Sequence, residues 1–300
     1  MRISLVPVAL ALAACGGPDR GGASAALWVG EAGAARVLAV SADGRVLSTA
    51  AARPALDAPV RALALLADGA VLVLQEPSGG GAPGVVVGRD GARVATLAAT
   101  DAGGAPLFDA AGPPWAAAQA ADGRIWVTGR LAPVIFGRDG ALVGTAAPLP
   151  LATRGVAALA DGRVLVTCGA SSAALYAADG ASAEPLAISV GANYSGVDAV
   201  AARPGGGLVL AVLRHGVTTD GVLVDVALAP GVLAATGDPE ASARLPELPS
   251  ALAIGAGVVV AAPSLGALAP PGCAEALSAD LRERRGCVAP GAHRGVVRLR

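Results

Sequence analysis

The chain has 300 residues, 54% of them hydrophobic, ample apolar content for one large core or two ordinary ones. Aromatics supply only 2%, all 22 basic residues are Arg, and Asn193 is the single asparagine, so Ala, Val, Leu and Gly carry most of the apolar content. A net charge of -1 provides no basic field, which excludes nucleic acid as an expected partner.

The first stretch, "MRISLVPVALALAAC", has one charge at Arg2, an apolar run from Ile3 to Leu12 and small residues before a cysteine. That layout reads as a cleaved export signal, too short for a stable membrane span. Its end, Leu12-Ala13-Ala14-Cys15, resembles the bacterial lipobox, in which small residues admit the signal peptidase and the thiol accepts a diacylglyceryl group. The resemblance implies a signal peptide over 1–14, lipidated Cys15 and a tether over 15–26 containing "GGPDRGGASAA". Two or three acyl chains anchor stably where one does not. Gly16, where an Asp would retain the protein at the inner membrane, resembles the signal for sorting to the outer membrane. The expected address is therefore the cell envelope, with an ordinary secretory signal and an incidental Cys as the alternative.

From residue 27 to 300 the sequence is organised by tight turns. Asp-Gly pairs begin at 43, 68, 90, 122, 139, 161 and 179, each between short runs of Val, Leu and Ala. Such pairs between apolar runs predict β-hairpins with type I′ turns, whose central residues both need positive φ. The turns form two interleaved sets. One, at 68, 122 and 161, follows runs such as "GVAALADG" and continues through Gly205-Gly206 to Gly255-Ala256-Gly257. The other, at 43, 90, 139 and 179, follows runs such as "AALYAADG" and continues to Pro230-Gly231. The first set advances 188 residues in four steps and the second 187, one period of 47.

A unit of that length with two hairpins is four short strands, the size of a propeller blade. The stretch "GVAALADGRVLVTCGASSAALYAADG", residues 155–180, resembles the blade signature of NHL and YVTN-type β-propellers. The resemblance implies an all-β propeller and a binding platform. Units start near Ala25, Pro59, Pro114, Arg154, Val197 and Ser250, which predicts six four-stranded blades, with five or seven left open. The first unit begins at a second strand, "ALWVGEAG", and the last is read as stopping at a third, "GVVRLR", an offset that lets the termini share a blade and close the ring. Leu248 to Ala274 is free of charge but carries Pro249, Pro263, Pro270 and Pro271, which excludes a spanning helix. Helical spacing is confined to "CAEALSADLRERRGC", where Leu277 and Leu281 fall four apart, and 273–287 is read as a helical insertion in the last blade.

Cys273 and Cys287 bracket that insertion and are the expected disulfide in an oxidising compartment, worth about 3 kcal/mol in the chain-entropy model. Cys168 ends an apolar strand and reads as a buried small hydrophobe. No metal site and no cofactor are expected. His215 and His293 are the only histidines, and no G-x-S-x-G marks a nucleophile. Lactonases of the propeller class hold a divalent metal with a Glu, two Asn and an Asp, a set that one asparagine cannot supply.

Propeller topology gathers two groups of loops on the face opposite the Asp-Gly turns. Those leading into first strands contribute Arg61, Trp115, Arg154, Asn193, Tyr194 and Asp198. Those joining second to third strands contribute Glu31, Glu76, Arg130, Arg214 and His215. Scarce polar and aromatic residues thus meet on one rim, a candidate binding surface. The alternative is that Trp115 packs on a neighbouring blade and the charges are solvated. The function read from these features is a lipid-anchored binding platform for an envelope protein, peptide or glycan. A periplasmic propeller enzyme, a lactonase-like hydrolase or quinone-dependent dehydrogenase, stays open beside it, as does a purely structural envelope protein.

Overall fold

The Asp-Gly turns do produce hairpins, by a different geometry from the predicted one. The computed structural model describes residues 25–31, 37–41, 56–77, 80–88, 91–169, 172–203, 206–216, 219–245, 248–255, 258–263, 273–290 and 293–298. At 68, 122, 139, 161 and 179 only the Gly has positive φ, between 75° and 87°. In each the Asp carboxylate accepts the backbone N–H two residues on, from Ala70, Arg124, Ala141, Arg163 and Ala181. Gly69 N also donates to Leu66 O, and Leu66 N to Ala70 O. This is a type I turn followed by a left-handed Gly, so Asp serves as a side-chain acceptor and needs no positive φ. Asp43, Gly44 and Asp90 lie outside the described residues.

Strands β1 (Ala25–Glu31) and β2 (Val37–Ser41) pair antiparallel. A first four-stranded meander follows, with β3 (Val60–Leu65), β4 (Val71–Gln75), β5 (Gly84–Val87) and β6 (Arg93–Thr96). The next has β7 (Ala117–Gln119), β8 (Ile125–Val127), β9 (Val134–Phe136) and β10 (Leu142–Thr145). Then come β11 (Thr153–Ala158), β12 (Val164–Cys168), β13 (Ser172–Tyr176) and β14 (Ala183–Ser189). A further meander is β15 (Tyr194–Ala202), β16 (Leu208–His215), β17 (Thr219–Ala229) and β18 (Val232–Ala235), with β19 (Arg244–Leu245) added along β17. Its outer strand β18 pairs in parallel with β14, which covers two strand edges at once. The last meander is β20 (Pro249–Gly255), β21 (Val258–Pro263), β22 (Cys273–Ser278) and β23 (Arg284–Pro290), after which β24 (His293–Arg298) pairs antiparallel with β1. Strands β24, β3, β7, β11, β15 and β20 neighbour one another in cyclic order around a central channel. The fold is a β-propeller.

Second strands such as β4 and β12 are buried at every position, because both faces of a blade meet another blade. Alternate residues serve opposite neighbours: Val71 and Val73 pack in a cluster with Val37, whereas Leu72 and Leu74 pack with Phe136 and Ile125 of the next meander. Trp126 and Tyr176 meet across another such seam, ring centroids 5.4 Å apart, and the Tyr176 hydroxyl donates to Ala147 O at 2.7 Å.

Two expectations are corrected. Residues 295–298 of the terminal "GVVRLR" belong to β24, which lies innermost in the blade shared with β1 and not in a third-strand position. The 273–287 segment is not a helical insertion but the outer half of a blade, β22 and β23. Leu277 packs from the strand and Leu281 from the turn into one cluster with Ala199 and Leu223, so a spacing of four reflects a hairpin reaching one core. Leu281 takes φ of 63° at that turn, and Ser278 O accepts its N–H at 3.0 Å. The ladder pairs Cys273 with Pro290 and Cys287 with Glu275. The two cysteines thus stand on adjacent strands, Cys287 opposite the residue two positions after Cys273. No disulfide is found among the described residues. Cys168 is buried with a free thiol, as read from the sequence. Cys15 and the whole of 1–24 lie outside the described residues.

Candidate functional site

Each innermost strand carries or is preceded by a β-bulge, and β15 carries two, at Gly196 and Asp198. Val60 pairs with Gln75 and Ala62 with Leu74, leaving Arg61 as the extra residue. Thr153 pairs with Cys168 and Val156 with Val166, which crowds Arg154 and Gly155 opposite Thr167. Trp115 N donates to Thr128 O while Thr128 N donates to Ala116 O, so Trp115 and Ala116 oppose one residue. Register shifts of the same kind fall at Asp198 in β15, Ser250 in β20 and Arg294-Gly295 in β24. Bulges re-aim a side chain and recur at barrel rims and active sites. Here they place Arg294, Arg61, Trp115, Arg154, Asp198 and Ser250, in ring order, at one position of the innermost strands.

Four of these residues form a continuous belt. The Arg61 guanidinium carbon lies 4.7 Å from the Trp115 ring centroid and that of Arg154 lies 3.8 Å from it, one from each flanking blade. Both are within cation–π range. Glu76 pairs with Arg61 at 3.6 Å. Burial pushes the Asp198 carboxyl above its ordinary range, and Arg154 pulls it partly back. The Arg154 guanidinium makes no ion pair or hydrogen bond among the described residues, and Trp115 Nε1 is buried with no acceptor. Buried threonines brace the bulges: the Thr128 hydroxyl donates to Arg154 O, and Thr167 Oγ1 accepts Gly155 N at 2.8 Å. These are the Thr of "IWVTG" and "VLVTCG", so the recurrent Val-Thr supports the belt.

A second cluster lies on β15 and β16. Tyr194 and Arg214 oppose each other on the ladder and share Glu240: the tyrosine hydroxyl donates to Oε1 at 2.9 Å and Arg214 Nη2 pairs with Oε2. Burial, and then Glu240, push the Tyr194 phenol up to about 12. Ser195 Oγ and His215 Nε2 are hydrogen-bonded, and Asn193 O accepts His215 N at 2.7 Å. No acidic residue among those described bonds His215 from its other side, so this pair does not amount to a catalytic triad. Arg130 joins neither cluster. Its Nη1 donates to Pro106 and Leu107 carbonyls, both at 3.0 Å, and pins the long loop after β6.

The channel itself widens to a cavity of about 250 Å³ lined by Leu63, Ala118, Val156, Val200, Leu252 and Ile254 among others. It begins about two residues inward of the bulges and runs to the strand ends beside the Asp-Gly turns. Among the described residues no group of three or more His, Cys, Asp or Glu could hold a metal ion, and no helix is long and apolar enough to cross a membrane.

Sequence reasoning placed Arg61, Trp115, Arg154 and Asp198 on one rim but missed their equivalence. The signal was present: Arg61, Trp115 and Arg154 each stand seven residues before the Asp of a first-set turn. Glu240 and Ser195 were missed, Glu240 because it sits in the turn Pro239–Ala241, outside any repeated landmark.

No protein-family model matches the chain, and no curated protein matches it in sequence. Solved structures match it in shape. A protein of unknown function from Bacteroides caccae superposes with a TM-score of 0.63 at 14% identity, over 93% of this chain and 100% of that one. The Pan2 WD40 domain of Neurospora crassa gives 0.51 at 11% identity, over 78% of this chain and 67% of that one. The extracellular domain of a putative hybrid two-component system from B. thetaiotaomicron gives 0.50 at 11%, covering 89% of this chain and 33% of that one. At these identities the likeness shows the fold alone.

Proposed function

We propose that this chain is a six-bladed propeller of the NHL-like kind, anchored in the cell envelope through acylated Cys15, that binds a macromolecular partner on the face carrying the bulges. The observation that carries the binding reading is the belt of Arg61, Trp115, Arg154 and Asp198, four polar or aromatic side chains set at one position in successive blades. A blade needs only apolar residues to pack, so four such groups at one bulge position are better explained by a ligand than by the ring. In-cell cross-linking from the loop face tests it. A partner captured by the intact chain and lost in Arg154→Gln supports the reading; the same products from both would sink it. The anchor rests on Leu12-Ala13-Ala14-Cys15. Cys15→Ala should release the protein from the membrane fraction, and unchanged retention would refute the lipoprotein assignment.

The hydrogen-bonded Ser195 and His215 favour one further reading, a hydrolase. Turnover of activated esters abolished in Ser195→Ala would support it, whereas turnover unchanged by the substitution, or absent altogether, dismisses it.

A further inference from the structure

Two hydrogen-bond donors at the bulge position lack an acceptor among the described residues: Trp115 Nε1, which is buried, and the Arg154 guanidinium, which stands over the Trp115 ring. Trp126 Nε1, Arg203 Nη2 and Arg214 Nε are buried without a partner as well, so what distinguishes Trp115 is the unpaired guanidinium beside its indole, a second donor that the same bound acceptor could meet. The charges nearby define that acceptor. Glu76 answers Arg61, and the Arg154 guanidinium is left as one positive charge without an ion pair among the described residues. A monoanion neutralises it, whereas a dianion such as phosphate overshoots. Guanidinium matches a carboxylate through two parallel N–H donors.

The surroundings favour a peptide over a glycan. Sugars dock on open aromatic faces, and here arginines from both flanking blades cover the Trp115 ring. Beside Arg154 the face is apolar: Leu131 is 53% exposed and Leu151 47% exposed. Both are tied to the Arg154 bulge, because Thr153 N donates to Arg130 O at 2.9 Å and Leu149 N to Leu131 O at 2.8 Å. We propose that this face binds an acidic segment of a protein partner, its Asp or Glu carboxylate received by Arg154 and Trp115 Nε1 and an adjoining apolar side chain resting on Leu131 and Leu151. The proposal rests on the binding-platform reading above and specifies its ligand.

The test uses the full chain and fluorescein-labelled, acetylated peptide amides containing Leu-Glu-Leu or its isostere Leu-Gln-Leu, followed by anisotropy. The Glu peptide should bind at least about tenfold more tightly, the scale of one charge-assisted hydrogen bond. Arg154→Gln should abolish that preference, and Leu151→Asp, a surface change, should weaken the Glu peptide more than the Gln peptide. Equal binding of the two peptides, no binding of either, or tighter binding of trigalacturonate in competition overturns the proposal. Should cross-linking still depend on Arg154 while the peptides are not distinguished, the platform reading survives and the acidic-segment assignment falls.

Discussion

The Arg154 guanidinium carbon sits 3.8 Å from the centroid of the Trp115 ring, joining two blades through side chains alone. A half-buried contact of this kind contributes about 1–2 kcal/mol, mostly as cation–π attraction. A double-mutant cycle of Trp115→Leu and Arg154→Met, read from urea midpoints, should return a coupling of about 1 kcal/mol. A coupling near zero would mean that the stack is an incidental approach.

Asp198 occupies the same position one blade further on, and burial raises its carboxyl above the ordinary 3.8. Between 3.8 and the raised value the native state keeps a proton that the unfolded chain has lost. Stability therefore falls as pH rises through that window and stays lower above it. Asp198→Asn removes the titrating group, so its Tm should exceed that of the wild type near pH 7, with the difference vanishing near pH 3. An Asn variant less stable than wild type at neutral pH would show that attraction to Arg154 outweighs burial.

The repeat was legible because its chemistry is local. A Gly must take positive φ after an Asp whose carboxylate caps the next residues, so "ADG" marks a hairpin wherever it falls between apolar runs. Asp220-Gly221 shows the limit, since the same pair lies inside β17 opposite Arg214 and Leu213 and makes no turn. Rank within a blade was less legible, because any short Val-rich run suits an inner or a middle strand. β24 was therefore assigned the wrong rank. The helical reading of 273–287 failed for a related reason: Leu277 and Leu281 satisfy a helix period and a hairpin equally, and the seam against β15 and β17 decided between them. The rim was found as a set of residues, but its order came from bulges, which depend on pairing across strands.

The tyrosines offer a second pH test. Burial drives the Tyr176 phenol above its usual range, with Cys168 adding to the effect, and pushes Tyr194 up to about 12. An unfolded chain ionises its tyrosines near 10, so the native state holds protons that the unfolded state sheds. Stability should fall as pH rises above about 10, and the native protein should show no phenolate absorbance step there until it unfolds. A step from either tyrosine near 10 in folded protein would contradict the burial of that hydroxyl.

The turns at 139 and 161 differ in what they touch, and a matched pair of glycine substitutions separates them. Gly162, in the first set, has φ of 87° and open space where a Cβ would stand. Gly140, in the second, has φ of 86°, but a Cβ there would lie 2.2 Å from Thr96 O, on the exit from the preceding blade. Its own carbonyl accepts Ala98 N at 2.9 Å, and Gly180 O accepts Ala147 N at the same distance one blade later. The outer hairpin of each of these blades thus clips onto its predecessor, while the inner hairpin projects freely. Gly162→Ala should cost about 1–2 kcal/mol, the left-handed penalty of an L-residue. Gly140→Ala should cost that penalty and about 1–3 kcal/mol more, because the backbone of a neighbouring blade must move. Urea denaturation of the two variants decides the matter: equal losses would mean that the clip between blades contributes nothing to holding the ring together.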